Sequence, residues 1–275
     1  MSKRFDLDGK VAVVTGAASG IGRAVSRSLA ARGCHLAICD IDEAGLEETA
    51  RLIGNRVRVT RHRLDVSDGE AIAAMPREIE AAHGGVDVLV NNAGVALGGT
   101  FDIVSEAEFD WLMGINFQGV VRMTRAFLPL LKARPAAQLV NLSSLFGLVA
   151  PPGQAAYAAS KFAVRGFSMA LSNELLAAKS AVGVTIVHPG GVRTSIAANA
   201  RVADGVPGRV REKQRERFDR ALKMPPEQAG EIIVKGIERR SPRVIVGSDA
   251  KIAAALERLA PVSYGHLVQF LKPKQ

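Results

Sequence analysis

The sequence predicts an α/β fold, a parallel sheet doubly wound with helices on both faces. Two observations carry that prediction. Short apolar runs alternate with longer amphipathic ones along most of the 275 residues, and repeated strand–helix alternation builds a parallel sheet covered on both sides. Hydrophobic residues make up 48% of the chain but aromatic ones only 5%, so the core must consist of Val, Leu, Ile and Ala, the composition of strands buried on both faces.

Each element has a local reason. Val11 to Thr15, His35 to Asp40, Arg56 to Leu64, Val86 to Asn91, Gln138 to Ser143, Val182 to His188 and Arg243 to Gly247 read as strands, being apolar or β-branched and bounded by Gly, Asp, Asn or Pro. Gly20 to Ala31, Asp42 to Ile53, Asp68 to Ala82, Phe117 to Lys132, Ala156 to Ala178 and Pro226 to Arg239 read as helices. Asp42 and Asp68 are the expected N-caps, and Gly33, Gly54 and Gly84 the expected stops. No repeat or low-complexity linker divides the chain, so one domain over 1–275 is expected. Two segments depart from the alternation. Residues 192–223 form a stretch too long for a simple connection and read as a substrate lid. Residues 249–275 read as a helical tail with apolar stripes at Ile252, Leu256 and Leu259, and at Leu267, Val268 and Leu271.

Charge and cysteines narrow the function classes. The net charge is +9, from 36 basic and 27 acidic residues, and Arg193 to Lys223 alone holds nine Lys/Arg against four Asp/Glu. Nothing there resembles a helix-turn-helix or a stacking platform, so no nucleic-acid partner is expected. Cys34 and Cys39 fall in one apolar run; on a strand they lie roughly 16 Å apart, beyond disulfide reach, and read as reduced core residues. No metal-ligand cluster appears, and no metal is expected. The first apolar segment already belongs to the fold and no apolar run approaches the ~18 residues of a membrane span, so a cytoplasmic protein is expected.

The candidate site begins at the first strand–helix turn. Thr15-Gly16-Ala17-Ala18-Ser19-Gly20-Ile21-Gly22 has the glycine spacing G-x-x-x-G-x-G. Glycines let a backbone approach a pyrophosphate, and the helix N-terminus offers N–H groups and positive potential; a plain Gly-rich turn is the bland alternative. Asp40 stands 24 residues beyond Gly16 at the end of the second strand. A carboxylate there accepts hydrogen bonds from both ribose hydroxyls of an adenosine and repels a 2′-phosphate; a solvated strand end or an N-cap is the alternative. With neutral Ser19 and Ile41 beside it, Asp40 favours NAD over NADP. Tyr157 and Lys161 lie four residues apart on a predicted helix and share a face. A phenol with an unperturbed pKa of about 10 is a poor base at neutral pH, and a cation one turn away favours its ionised form. The same spacing also occurs by chance on surface helices.

Taken together, Thr15-Gly16-x-x-x-Gly20-x-Gly22, Leu64-Asp65-Val66, Asn91-Asn92-Ala93-Gly94, Asn116, Ser144, Tyr157-x-x-x-Lys161 and Pro189-Gly190-x-Val192-x-Thr194 resemble the short-chain dehydrogenase/reductase family in its compact single-domain branch. The resemblance covers residues 9–247 and implies a Rossmann-like sheet in the order 3-2-1-4-5-6-7. It implies that Tyr157 exchanges a proton with the substrate, that Lys161 lowers its pKa and holds the nicotinamide ribose, and that Ser144, rather than adjacent Ser143, bonds the substrate oxygen. Asn116 would relay protons through water to Lys161. Gly16, Ser19, Gly20, Ile21 and Gly22 would take the pyrophosphate. Asp65 and Val66 would flank the adenine, and Asn92, Ala93 and Gly94 would line the adenosine side. Pro189, Gly190, Val192 and Thr194 would hold the carboxamide end, while Asn91 would brace the strands.

The expected function is NAD-dependent hydride transfer between the nicotinamide and a hydrophobic secondary alcohol or its ketone. Val95, Leu97, Leu145, Phe146 and Leu148 near the cleft suggest the apolar substrate; the basic lid alternatively suggests a carboxylate or phosphopantetheine group. Two other readings stand beside it: a catalytically silent dinucleotide-binding regulator and an NADPH-dependent ketoreductase. The small-molecule substrate is the principal partner. Copies of the long apolar helices could pair across a two-fold axis, giving a homotetramer or homodimer. The tail, with Arg258, Lys272 and Lys274, suits a subunit contact, a pocket cover or a membrane surface.

Overall fold

The computed structural model describes residues 4–194, 196, 200–209, 212 and 222–265. Strands β1 (Val11–Thr15), β2 (His35–Asp40), β3 (Val59–Arg63) and β4 (Val88–Asn91) are followed by the two-residue β5 (Leu97–Gly98), then by β6 (Ala137–Leu142), β7 (Val182–Pro189), a two-residue β8 (Arg201–Val202) and β9 (Arg243–Val246). Seven of them form one parallel sheet ordered β3-β2-β1-β4-β6-β7-β9, and β5 pairs with β8 apart from it. With the two short strands set aside, this is the Rossmann-like order expected from the sequence.

Alternation along each strand builds two cores. Ala12, Val14, Leu36, Ile38, Val88, Val90 and Val140 face one side, where α1 (Gly20–Ala30), α2 (Glu43–Ile53) and α7 (Pro226–Glu238) pack. Val13, Ala37, Leu89 and Leu139 face the other, covered by α3 (Gly69–His83), α5 (Gly119–Lys132) and α6 (Ala155–Ala177). A period of two with both phases apolar is what a strand buried on both faces requires. Both cysteines are free and buried, and burial pushes the Cys34 thiol up to about 12. Asp87, wholly buried before β4, accepts the Val11 N–H at 3.0 Å and pairs with Arg134 at 2.8 Å and Lys10 at 3.5 Å. It ties the start of β1 to the strand beside it.

The expected caps are in place. Asp42 accepts the Gly45 N–H at 3.0 Å, and Asp68 accepts the N–H groups of Glu70 and Ala71 at 2.9 and 3.0 Å. Gly54 and Gly84 end their helices with φ of 71° and 79°. Two element boundaries differ from expectation by three residues or more. Residues 54–56 form a 3₁₀ turn, so the strand predicted from Arg56 begins at Val59. The helix predicted from Phe117 begins far earlier, at α4 (Glu106–Met113), and runs through a π-helical turn at Gly114–Gln118 into α5.

The sheet reverses its winding between β1 and β4, and a crevice opens beyond their carboxyl ends. Residues 192–223 are described only in part: β8 pairs with β5, while 195, 197–199, 210, 211 and 213–221 lie outside the described residues. The tail begins as α8 (Ser248–Leu259), whose Glu257 pairs with Arg165 at 3.4 Å. Tyr264 beyond it accepts the Ala150 N–H at 2.9 Å. Ala250 and Ala253 face inward, whereas Ile252 and Leu259 of the predicted stripe are 62% and 83% exposed. The second stripe, with Lys272 and Lys274, lies outside the described residues. Among the described residues no helix is long and apolar enough to cross a membrane.

Candidate active site

A cleft of about 490 Å³ lies at the switch point, lined by Gly16, Ser19, Gly20, Ile21, Asp40, Asp65, Val66, Asn92, Ala93, Gly94 and Thr194 among others. Residues from five separate stretches of sequence thus meet around one cavity. Gly22, Pro189, Gly190 and Val192 do not line it, and neither do Asn116, Ser144, Tyr157 and Lys161. Gly22 instead lets α1 lie against the turn, because a Cβ there would overlap the Gly16 carbonyl. Val192 is buried and bridged to Met224. Gly190 sits beneath Asp249 at the start of α8, whose carboxylate accepts the Gly191 N–H at 2.6 Å.

The glycine turn is built for a close approach. Gly16 has φ of +66°, and a Cβ on it would come within 2.9 Å of the Ala93 backbone. Asn92 fastens the turn to the end of β4: its Nδ2 donates to the carbonyls of Thr15 and Gly16 at 2.9 and 3.0 Å. The Thr15 hydroxyl accepts the N–H groups of Asn92 and Ala93 at 3.0 and 3.1 Å. Ser19 stands at the N-cap of α1 without capping it through its side chain, so the first-turn N–H groups remain turned to the cleft. Asp40 accepts the Ala18 N–H at 3.0 Å and the Asp42 N–H at 3.2 Å. These bonds hold its carboxylate at the cleft rim. This donor set fits an anionic dinucleotide: backbone N–H groups at its middle, a carboxylate at one end.

A polar group of four residues stands where Gly94 leaves the cleft. A Cβ on Gly94 would lie 3.1 Å from Asn116 Oδ1 and 3.4 Å from Lys161 Nζ. Asn116, in the π-helical turn, is fully buried. It accepts the Val95 N–H at 2.8 Å and donates to the Val95 carbonyl at 2.9 Å and to Ser160 Oγ at 3.2 Å. Its carboxamide is therefore committed to the Val95 backbone and the Ser160 hydroxyl, and braces the turn. Lys161 is buried and donates to the Leu142 carbonyl at 3.2 Å; burial lowers its pKa to about 8. Its Nζ is 5.7 Å from the centre of the Tyr157 ring. Burial pushes the Tyr157 phenol up, and hydrogen bonding with Ser144 pulls it down by less. In the chain by itself the phenol is thus raised, opposite to the direction the Tyr–Lys spacing suggests, because desolvation outweighs the hydrogen bond with Ser144.

The two adjacent serines diverge. Ser143 Oγ donates to the Lys161 carbonyl at 2.9 Å, and Ser144 Oγ accepts the Phe146 N–H at 3.1 Å beside Tyr157. Ser144 is held from behind as well: its carbonyl is 3.0 Å from His188 Nδ1, and burial lowers His188 to about 4. Val95, Trp111 and Tyr157 pack in one apolar cluster with Leu97, Leu112 and Ala156.

A model of short chain dehydrogenases matches residues 10–204. The chain belongs to the short-chain dehydrogenase/reductase family. This short-chain dehydrogenase is 45% identical over 265 residues to the oxidoreductase SadH of Mycobacterium tuberculosis, covering 95% of this chain and 94% of that one. It is 32% identical to dehydrogenase/reductase SDR family member 7B of Xenopus laevis, over 94% of this chain and 80% of that one. Among solved structures it resembles a short-chain dehydrogenase/reductase of Burkholderia phymatum in complex with NAD, with a TM-score of 0.85, 31% identity and 98% of each chain covered. A dehydrogenase of Mycobacterium paratuberculosis bound to NAD gives a TM-score of 0.77 at 26% identity, over 90% of this chain and all of that one. The protein is an oxidoreductase of this family and carries its nicotinamide-dinucleotide fold.

Sequence reasoning missed α4, Trp111, Arg201 and Asp249. The Ser105–Glu108 capping box, which the structure forms in both directions, was the available signal for α4. The others had none, since a two-residue strand has no period and a lone Asp or Arg in a loop has no pattern.

Proposed function

We propose that this dehydrogenase transfers a hydride between NAD(H) and a hydrophobic secondary alcohol or its ketone. The observation that carries the proposal is the convergence of Ser144, Tyr157 and Lys161 at the end of the cleft where Gly94 emerges. The nicotinamide, when bound, supplies or accepts the hydride. Ser144 holds the substrate oxygen and stabilises the charge that develops on it. Tyr157 gives the proton during ketone reduction and takes it during alcohol oxidation. Lys161 holds the nicotinamide ribose and, when charged, favours the ionised phenol. Asn116 fixes Val95 and so positions the edge of the site. Asp40 takes the adenosine ribose hydroxyls and favours NAD over NADP. The apolar surface of Val95 and Trp111 in the cleft supports a hydrophobic substrate.

We read residues 1–275 as one domain. The half-exposed Phe162, Met169 and Leu176 along α6, with exposures of 38%, 49% and 77%, support pairing with a second copy in a homodimer or homotetramer, which sedimentation equilibrium tests. The activity is tested by following NAD reduction at 340 nm across secondary alcohols, steroids, hydroxy acids and polyols. Tyr157→Phe should abolish turnover while sparing NADH binding; equal turnover by the variant would end the assignment of Tyr157.

A further inference from the structure

The cofactor cleft has an uneven charge. Three carboxylates line it, Asp40, Asp42 and Asp65, and among its described lining residues one side chain is cationic, Arg201 of the lid. A dinucleotide carries its own charge on the diphosphate, and the α1 N-terminus offers that group only partial charges. Arg201 is the side chain able to supply a full one.

Its placement is built into the fold. The Arg201 N–H donates to the Ala96 carbonyl at 3.0 Å, and the Ala203 N–H donates to Gly98 at 2.9 Å. These bonds fasten β8 to the segment that leaves Gly94. The guanidinium lies 3.8 Å from the centre of the Trp111 ring. Stacking on an indole holds a guanidinium in one plane and leaves its N–H edge for a planar or tetrahedral oxyanion. Glu108, which feels this charge weakly, is already engaged by Ser105 and by the Asp204 N–H at 3.3 Å.

The geometry points to Arg201 as a lid-borne clamp on the dinucleotide diphosphate, with Trp111 as its positioning residue. This rests on the dinucleotide reading of the cleft given above. Guanidinium–phosphate pairing is charge-assisted and commonly bidentate. The clamp joins β8 to the cofactor.

The test is titration calorimetry with NADH, ADP and adenosine on the full chain, using wild type, Arg201→Met, Arg201→Lys and Trp111→Leu, with matched thermal melts to confirm folding. Met keeps the contact with Trp111 and removes the charge. Arg201→Met should weaken NADH and ADP roughly 10- to 100-fold, the range for a lost charged hydrogen bond, and leave adenosine unchanged. Arg201→Lys should recover part of the loss, and Trp111→Leu should fall between. Unchanged ADP and NADH binding in Arg201→Met, or an equal loss for adenosine, would overturn the clamp. A raised substrate KM with cofactor binding intact would overturn it too, assigning the cation to a substrate anion. If wild type binds adenosine but neither ADP nor NADH, the dinucleotide reading itself fails, a result distinct from all of these.

Discussion

Ser143 and Lys161 are joined by a hydrogen bond from the serine hydroxyl to the lysine carbonyl at 2.9 Å, which separates Ser143 from the role proposed for Ser144. It ties the end of β6 to the middle of α6 and consumes the Ser143 hydroxyl. Ser144→Ala is expected to lower kcat by 10²-fold or more, the scale of losing one oxyanion donor. Ser143→Ala should instead cost about 1 kcal/mol of stability with kcat nearly kept. Steady-state kinetics and urea melts of the two variants check the division; equal kcat losses would contradict it.

Lys161 predicts a trade of stability against function. Its pKa falls from the ordinary lysine value to about 8 through burial. The unfolded chain therefore binds the proton more tightly than the folded one, and stability rises with pH through that interval. The burial cost is full below pH 8 and fades as pH climbs towards the unfolded value of about 10.4. Lys161→Met should thus raise the stability of the ligand-free protein at pH 7 by about 1–3 kcal/mol while abolishing activity. Its advantage should shrink above pH 8, as thermal melts across pH 7–10 would read.

His188 sets the acid limit. It is 1% exposed, and burial holds its pKa at about 4. A lowered folded pKa means that the stability is complete above the unfolded value of about 6.5 and is lost as pH falls towards 4, with up to about 3 kcal/mol from this residue. Protonation also unsettles the support behind Ser144. Melting temperature against pH should fall over that window in wild type and flatten in His188→Asn, whose amide can still donate to the Ser144 carbonyl.

Asp40 predicts cofactor choice. Its carboxylate is fixed at the cleft rim by the Ala18 N–H, with exposed Ile41 beside it. Wild type should prefer NAD to NADP by tenfold or more in kcat/KM. Asp40→Ala combined with Ile41→Arg should reverse that order, and a wild-type preference for NADP would refute the reading.

The tail braces the loop after β6 at Gly147 and Ala150. Glu257 holds Arg165, which also donates to the Gly147 carbonyl at 3.2 Å, and Tyr264 accepts the Ala150 N–H. Tyr264→Phe keeps the ring and removes the acceptor. It should raise substrate KM several-fold with cofactor Kd unchanged, measured beside a truncation ending before Ser248.

The sheet and the nucleotide cleft were legible because both rest on local chemistry. The apolar alternation of β1, β2 and β6, the caps Asp42 and Asp68, and the glycines of the first turn each carry their reason within a few residues. Ser144 is set apart from Ser143 only by the spacing from Tyr157 that the family resemblance implies. What stayed hidden depends on tertiary company. The π-helical turn at Asn116 exists because its carboxamide must reach Val95, which no helical period announces. The raised phenol of Tyr157 reflects desolvation, which a spacing cannot display. Arg201 and Trp111 meet across 90 residues of chain.

The segment from Asn92 to Gly98 is fastened at one end to Thr15, in its middle to Asn116 and at its far end to β8 of the lid. Mechanically it is a beam with three supports, along the wall of the proposed cofactor cleft. Lifting the lid therefore pulls on the same stretch of backbone that passes Lys161. The lid and the floor of the cleft share a spring, so the dwell time of one ligand should register in the release rate of the other even where the two never touch.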